Sequence, residues 1–220
     1  MQMPDTIAEP ARRGAQARWR RFDLAGADVR LARFCDAAAA QRWFSRLHAE
    51  IPWEQHRLRI FGREIDSPRL SCWIGDADAV YTYSRTRFEP QPWTPALLQL
   101  RDAMNRLCGQ EYNSVLCNLY RDGHDAMGWH SDAEPELGPQ PVIASLSFGA
   151  TRRFRLRHKR NPELRLELDL ESGSLLRMAG ATQANYRHDL PRTARAPGAR
   201  INLTFRRILP GSSRYSTGQD

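Results

Sequence analysis

The sequence predicts a mainly β protein with flanking helices, of the α+β class, and three patterns carry that prediction. Apolar residues recur at helical spacing in two early segments, and from residue 114 onward the period changes to two, as in strands. Turn residues then divide the later part into many short segments. This combination is typical of an antiparallel jelly roll with helices packed outside it.

Both predicted helices have recognisable ends. Asp36 can cap a helix that runs through about Glu50. Thr94 and Pro95 mark the start of a second helix, and Gly109 follows its end. Each helix has one apolar face, so we expect both to pack against the core.

The predicted strands alternate apolar and polar residues. The clearest begins at Leu164, where every leucine faces one side and every charge the other, as in a half-buried strand. The predicted strands are Ser114–Tyr120, Val142–Phe148, Phe154–His158, Leu164–Leu170, Ser174–Met178 and Ile201–Ile208.

The chain of 220 residues is long enough for one domain with a substantial core. Residues 1–21 are rich in arginine and poor in apolar periodicity, so they are expected to form a flexible basic arm. The domain is expected to span residues 22–209, with the helices in 22–113 and the jelly-roll strands in 114–209. Residues 210–220 are expected to be a flexible tail.

The formal net charge is +8, and Lys159 is the only lysine among 33 basic residues. Arginine suits phosphate, but the same excess is expected from a GC-rich coding sequence, so charge alone leaves nucleic-acid binding open.

No apolar run is long enough to span a bilayer or to form a signal peptide, which predicts a cytoplasmic protein, nuclear in a eukaryote, with no membrane partner. The four cysteines are scattered and lack a C-x-x-C pattern. They therefore predict neither a disulfide framework nor a thiolate zinc site.

Three residues are candidate metal ligands: His130, Asp132 and His188. Two imidazoles and one carboxylate form the facial triad of non-haem Fe(II) oxygenases, although zinc accepts the same donors. A second His-x-acid pair, His48 and Glu50, lies in a helical pattern. Residues two apart on a helix point in nearly opposite directions, so that pair is the poorer candidate.

A polar row follows the third candidate ligand. Because side chains alternate along a strand, one face of the last predicted strand carries Arg200, Asn202, Thr204 and Arg206. If that face is buried it needs an anion, whereas an exposed face would be solvated. Asn118 and Tyr120 share a face of another strand and are further hydrogen-bonding candidates.

The chain resembles the AlkB family of Fe(II)- and 2-oxoglutarate-dependent nucleic-acid dealkylases. The resemblance covers about residues 50–209 in the family's order. The matching segments are Pro68–Gly75, Tyr81–Ser84, Asn118–Tyr120, Trp129–Asp132, Ala144–Ala150, Gly180–Ala184, His188 and Arg200–Arg206.

The resemblance implies a double-stranded β-helix with N-terminal helices and a nucleotide-recognition lid. It also implies that His130, Asp132 and His188 bind the iron and that Arg200 pairs with the distal carboxylate of 2-oxoglutarate. The residues implied to complete that co-substrate site are Asn118, Tyr120, Asn202 and Arg206. Thr204, which lies in the same polar row, is a further candidate.

The implied reaction is oxidative dealkylation of bases such as 1-methyladenine and 3-methylcytosine in DNA, with RNA as a further candidate. Dioxygen and 2-oxoglutarate are the co-substrates, and the methyl group leaves as formaldehyde while succinate and CO2 form. The enzyme is expected to be a monomer. A methyl on the Watson–Crick edge is inaccessible in a duplex, so the base is expected to be flipped out or unpaired.

The resemblance also indicates substrate contacts. Trp53, Tyr81 and Tyr83 match positions that line the lesion pocket, with core packing as the alternative for each. Phe61 resembles the apolar wedge of the duplex-acting branch. Glu134 is expected to accept a hydrogen bond from an exocyclic amine of the base, with a solvated loop carboxylate as the alternative.

Two positions depart from the family pattern. Ala133 stands where close relatives often carry a second acidic residue, and Ile74 stands where several have tyrosine. One substrate contact and the strand preference therefore stay open. Two other functions also stay open, namely an oxygenase acting on a protein or small molecule and a non-catalytic nucleic-acid-binding relative.

Overall fold

Two antiparallel sheets form the framework of the protein. The computed structural model describes residues 17–60, 63–83, 86–195 and 198–209. Within these ranges the larger sheet has seven strands and the smaller has four. The larger sheet has the order β1-β2-β13-β10-β15-β8-β5, with β1 (Arg20–Phe22), β2 (Ala27–Arg33), β5 (Leu70–Gly75), β8 (Ser114–Tyr120), β10 (Ile143–Gly149), β13 (Ser174–Gly180) and β15 (Arg200–Arg206).

The smaller sheet lies against one face of the larger one. Its order is β12-β11-β14-β9, with β9 (Met127–His130), β11 (Arg152–His158), β12 (Arg165–Leu170) and β14 (Tyr186–Leu190). Apolar side chains from both sheets pack together in one cluster, which includes Val29, Ile143, Phe154 and Leu176. The chain therefore forms a jelly roll, and the predicted fold class is confirmed.

Two hairpins lie outside these sheets, between the first helix and the second. The strands are β3 (Arg57–Ile60), β4 (Arg63–Asp66), β6 (Tyr81–Tyr83) and β7 (Thr86–Phe88). They occupy the part of the chain in which a lid was expected.

The helices are α1 (Ala37–Glu50), α2 (Pro95–Cys108) and the short α3 (Thr182–Asn185). As predicted, Asp36 caps α1, accepting a hydrogen bond from the Ala39 amide at 2.8 Å, and Thr94 caps α2. Gly109 ends α2 with φ +64°, a conformation that glycine adopts without strain. None of the helices in the described ranges is long and apolar enough to cross a membrane.

The outer face of the larger sheet packs against α1 and α2. Their apolar faces form one cluster with the side chains on that outer face, including Trp43 and Leu97 from the helices and Ile201, Leu203 and Phe205 from β15. The other face of β15 is consequently turned toward the smaller sheet. This arrangement places the polar row of β15 inside the protein.

The predicted strands from residue 114 onward are observed, with ends that shift by about one or two residues. The N-terminal pair β1 and β2 was not predicted. Arg20 and Arg21, the end of the expected basic arm, pair with Leu31 and Arg30 as part of β1. Residues 1–16 and 210–220, the rest of the expected arm and the tail, lie outside the described residues.

Candidate metal centre and anion pocket

Three potential metal ligands converge between the two sheets. His130 ends β9, and His188 lies directly opposite it on β14, with ring centroids 4.2 Å apart. Asp132 follows β9, and its carboxylate oxygens lie 3.9 Å from His130 Nε2 and 3.8 Å from His188 Nε2. One donor atom from each residue falls within 4.8 Å of the others, so the three can share one ion.

Hydrogen bonds hold this cluster in place. His130 Nδ1 lies 2.8 Å from the Gly128 carbonyl, which fixes the proton on Nδ1 and leaves the Nε2 lone pair free for a metal. The Asp132 amide donates to Gln183 Oε1 at 2.9 Å. Ser131 Oγ donates to the Tyr186 carbonyl at 2.7 Å, so the segment after β9 is tied to α3 and β14.

The protonation states suit metal binding. Burial lowers the pKa of His188 to about 3, with His130 adding to the effect, so the imidazole is neutral near pH 7. Burial alone would raise the pKa of Asp132, but Arg206 and the two histidines outweigh it and lower that pKa. The cluster therefore offers a neutral His188 imidazole and a carboxylate beside the His130 ring, and these three side chains are the donor set of a facial triad.

The second His-x-acid pair does not form a site. His48 and Glu50 lie on α1, where Glu50 pairs with Arg46 at 2.6 Å and His48 stacks on Phe44. The helical interpretation of this pair is confirmed.

The polar row of β15 is buried. Its four residues are between 2% and 8% exposed, which excludes the solvated sheet face that the sequence left open: Arg200, Asn202, Thr204 and Arg206. Arg206 Nη2 contacts Asp132 Oδ1 at 2.7 Å and so joins the row to the metal cluster. The same cavity is lined by the row and by all three potential ligands.

Arg200 is a buried cation in need of an anion. Its Nη2 donates to Ser147 Oγ at 2.9 Å, and its guanidinium lies 5.3 Å from the Tyr120 ring centroid. Its Nε has no hydrogen-bond partner, and no carboxylate pairs with it, among the described residues. Burial lowers the pKa of Arg200 to about 10, so it stays charged near pH 7. An anionic ligand would satisfy this group.

The other predicted residues of the anion site partly use their groups within the protein. Asn202 Nδ2 donates to Ser145 Oγ at 2.8 Å, and Thr204 Oγ1 donates to Asn202 Oδ1 at 3.1 Å. Asn118 Oδ1 accepts a hydrogen bond from Arg69 Nε at 2.7 Å. These side chains all line the cavity, as does Tyr120; Arg69 does not.

The predicted substrate contacts are less well defined. Trp53 packs against the helix-side core and donates from Nε1 to the His48 carbonyl at 3.1 Å. Glu134 precedes a short 3₁₀ helix, Pro135–Leu137, and its Oε2 is buried without a hydrogen-bond partner among the described residues. Tyr81 and Tyr83 belong to β6, and Phe61 lies outside the described residues.

Sequence reasoning missed several residues that support the site: Arg69, Gln183, Ser145 and Ser147. The two serines had a signal, because they alternate with apolar residues in β10 and lie opposite Thr204 and Asn202 of β15. Arg69 and Gln183 lie in two of the segments that match the family, Pro68–Gly75 and Gly180–Ala184, but neither residue was given a role.

Comparisons with known proteins identify the family. A family model of the 2OG-Fe(II) oxygenase superfamily matches residues 28–206. The DNA oxidative demethylase ALKBH2 of Homo sapiens is 38% identical over 201 residues, which cover 87% of this chain and 77% of that protein. The chain belongs to the AlkB family of these oxygenases.

Other relatives agree with this AlkB assignment. The alpha-ketoglutarate-dependent dioxygenase alkB homolog 3 of Bos taurus is 44% identical over 186 residues, covering 80% of this chain. This chain spans 64% of that protein's length. The solved structure of OsALKBH1 has a TM-score of 0.59 at 18% identity, covering 86% of this chain and 99% of that one, which shows a shared fold.

Superfamily membership decides between iron and zinc. A 2OG-Fe(II) oxygenase uses Fe(II) and 2-oxoglutarate, and His130, Asp132 and His188 are positioned to hold the metal. Three protein ligands leave positions open on an octahedral ion. The uncompensated Arg200 fits the second requirement, a dicarboxylate bound in the same cavity.

Proposed function

We propose that this protein is an Fe(II)- and 2-oxoglutarate-dependent dioxygenase that removes alkyl groups from damaged bases in DNA. The observation that carries the proposal is the buried Arg200, which faces the cavity of the three metal donors and has no carboxylate partner among the described residues. The relatives named DNA oxidative demethylase supply the substrate class.

In this proposal His130, Asp132 and His188 are the metal ligands and therefore the catalytic residues. The Gly128 carbonyl orients His130, while Gln183 fixes the backbone of Asp132. Partners of this kind set the direction of ligand lone pairs and strengthen metal binding.

The distal carboxylate of 2-oxoglutarate pairs with Arg200, whose planar fork suits bidentate contact. The remaining residues of the co-substrate site are Asn118, Tyr120, Asn202, Thr204 and Arg206. Their positions around one cavity support this assignment. Arg206 also contacts Asp132, so it links the co-substrate site to the metal ligand.

When bound, the iron and its co-substrates would supply the oxidation: 2-oxoglutarate and O2 give succinate and CO2, while the N-methyl group becomes a hydroxymethyl group that leaves as formaldehyde. The chain's own residues hold the co-substrate and keep the cavity dry. Apolar side chains of Met127, Phe154 and Leu190 line the cavity beside the ligands and restrict water.

A damaged base is proposed to stack on Trp53, Tyr81 and Tyr83, with Glu134 accepting a hydrogen bond from its exocyclic amine. The buried Oε2 of Glu134, which has no partner in the described part of the chain, supports the last role. Phe61 is proposed to fill the gap that the flipped base leaves in a duplex. The same site is proposed to accept single strands and RNA.

An arginine row on the outer face of the smaller sheet supports a polyanionic partner. Arg157 of β11 lies directly opposite both Arg165 of β12 and Arg187 of β14. Each is exposed, and none has a carboxylate partner among the described residues. In the next row, by contrast, Arg155 lies opposite Glu167 and Asp189. Like charges directly opposite are unfavourable in a sheet, and nucleic-acid phosphates would relieve this repulsion.

The enzyme is proposed to act as a monomer inside the cell. Among the residues whose side-chain exposure is described, which excludes most of the two hairpins, Leu209 is the only exposed large apolar side chain, and this supports a monomer. All four cysteines are free, as expected of a reducing compartment.

The test is demethylation of oligonucleotides that carry 1-methyladenine or 3-methylcytosine, single- and double-stranded, with and without added Fe(II) and 2-oxoglutarate. Formaldehyde and repaired base should appear in equal amounts and only when both additions are present. Succinate formed without any repaired base would point to a protein or small-molecule substrate instead. Absence of both succinate and an Fe(II)–2-oxoglutarate absorption band would indicate a non-catalytic relative.

A further inference from the structure

Arg152 is a second buried arginine close to the proposed co-substrate site, and no role has yet been assigned to it. It opens β11 and is 3% exposed, with its side chain turned to the interior. It does not line the cavity; Tyr120, which does, lies in front of it. Arg152 therefore has no direct access to a ligand in that cavity.

The Arg152 guanidinium donates to three backbone carbonyls. Nη1 contacts the Asp122 carbonyl at 2.9 Å, and Nη2 contacts those of Asp125 at 2.9 Å and Pro191 at 2.7 Å. The first two carbonyls belong to the loop between β8 and β9, whereas the third follows β14. One planar group thus joins two segments that are remote in sequence.

The two segments are also held together by a close backbone approach. The Thr193 amide donates to the Gly123 carbonyl at 2.9 Å. A Cβ atom on Gly123 would lie 2.4 Å from the Thr193 carbonyl oxygen, so this contact requires glycine. The 121–126 loop follows Tyr120, and the 191–195 segment leads from His188 toward Arg200.

Tyr120 is in contact with both buried arginines. The guanidinium carbons of Arg152 and Arg200 lie 5.8 Å and 5.3 Å from its ring centroid. Such cation–π contacts orient the ring and disperse charge where water is excluded. Movement of Arg152 would therefore displace Tyr120, and with it one wall of the pocket around Arg200.

We infer that Arg152 is a positioning residue for 2-oxoglutarate. By donating hydrogen bonds to three carbonyls, its guanidinium holds together the two segments behind Tyr120, and the position of Tyr120 in turn determines the length of the pocket that ends at Arg200. This inference rests on the proposed co-substrate site. Arg152 thereby affects both the affinity for 2-oxoglutarate and the length of dicarboxylate that the pocket accepts, although it does not contact the ligand.

The experiment compares Arg152→Gln and Arg152→Lys with the wild-type protein, using Arg153→Gln as the matched control. Arg153 is the next residue of the same strand but is exposed and pairs with Asp169. The dissociation constant of 2-oxoglutarate is measured by calorimetry on the Fe(II)-loaded protein without oxygen. Both Arg152 variants should bind 2-oxoglutarate about 10–100-fold more weakly, as for other residues that orient a ligand site indirectly.

Two readouts separate positioning from a general loss of structure. KM for 2-oxoglutarate should rise while kcat changes little, and the metal affinity should be retained. The rate with 2-oxoadipate, which is longer by one carbon, should rise relative to that with 2-oxoglutarate because the pocket end is loosened. If Arg152→Gln does not fold, 2-oxoglutarate binding is measured with Arg152→Lys and Gly123→Ala in its place, and both are expected to bind it more weakly than the wild-type protein.

Wild-type affinity in Arg152→Lys would overturn the inference, since a lysine keeps the charge but cannot reach three carbonyls in one plane. Unchanged affinity in a folded Arg152→Gln would overturn it as well. Arg200→Gln identifies which claim has failed. If Arg200→Gln binds 2-oxoglutarate with normal affinity, the proposed co-substrate site is wrong. If Arg200→Gln binds it weakly while Arg152→Gln binds it normally, the co-substrate site is correct and the role inferred for Arg152 is wrong.

Discussion

At the residue scale, Asp132 is a carboxylate in a deeply buried position. It is 3% exposed, lies within 4 Å of two imidazoles and accepts a hydrogen bond from Arg206. A carboxylate this deeply buried persists only because cations and donors surround it. It is also the only acidic member of the described metal cluster, so it supplies the negative charge that attracts a divalent ion.

Asp132→Ala is therefore expected to abolish iron binding and turnover, while Asp132→Asn keeps the shape of the side chain and loses the charge. We expect the asparagine variant to retain the fold by circular dichroism and to bind Fe(II) at least about tenfold more weakly, as found for changes around metal ligands. Normal demethylation by Asp132→Ala would refute the ligand assignment.

The cluster of three potential ligands was predictable from the sequence because each member also carried local context. His130 and Asp132 come after the predicted strand Ser114–Tyr120 and a loop, His188 comes shortly before the polar row, and the competing His48 lies in a helical pattern. Arg69 and Gln183 lie in segments that match the family, but the sequence did not indicate their partners. Arg69 meets Asn118 across 49 residues, and Gln183 meets Asp132 across 51, so only the folded chain reveals these contacts.

At the element scale, the sequence predicted the strands whose alternation is strong and missed those that depend on distant partners. β12, with its leucines on one side, was apparent from pattern alone. β2 carries Asp28 and Arg30 between apolar residues, and it is a strand because it pairs with β13, some 150 residues later. β1 is only three residues long, too short for a period to be recognised.

Asp28 is expected to anchor β2 to β13 in a pH-dependent way. Burial alone would raise its pKa, but hydrogen bonds from Arg30 and Arg177, at 2.7 and 2.6 Å, lower it below the usual 3.8. A carboxylate whose pKa is lower in the folded state stabilises that state above its unfolded pKa, and the contribution disappears as the pH falls through the folded value.

Asp28→Asn should accordingly lower the free energy of unfolding by about 1 kcal/mol at pH 7, a modest value for a partly exposed pair. The difference from wild type should shrink below pH 3.8. Urea unfolding at several pH values measures it. Glu171→Gln, which removes an exposed partner of Arg33, is the control and should have little effect. A difference that persists at low pH would contradict the electrostatic explanation.

At the scale of the whole molecule, the net charge of +8 becomes informative once its distribution is known. Arg153 and Arg155 on the outer face of the smaller sheet have acidic partners, whereas the row of Arg157, Arg165 and Arg187 has none in the described ranges. The sequence alone could not show which of these arginines have an acidic partner, because strand register decides which residues lie opposite each other. A charge excess alone therefore left nucleic-acid binding open.

Replacing Arg157, Arg165 and Arg187 together by glutamine should weaken binding to a methylated single-stranded oligonucleotide and flatten its salt dependence. For every phosphate that the variant no longer neutralises, the slope of log K against log salt should fall by about 0.7 for a single strand. The melting temperature should change little, because the loss of repulsion between opposed arginines offsets the loss of the contact between Arg157 and the Trp129 ring, 3.9 Å away.

The control for this variant replaces three exposed arginines elsewhere, Arg33, Arg42 and Arg106, and so changes the net charge equally. It should leave the slope nearly unchanged. Equal effects of the two triple variants would mean that overall charge, and not the row, attracts the nucleic acid.

The direct pairing of His130 with His188 ties metal binding to strand alignment. Side chains alternate along β14, so a slip by one residue against β9 would take His188 away from its position opposite His130. Only correctly aligned chains can then present both imidazoles to one ion. Metal binding is therefore expected to favour the native register over slipped alignments.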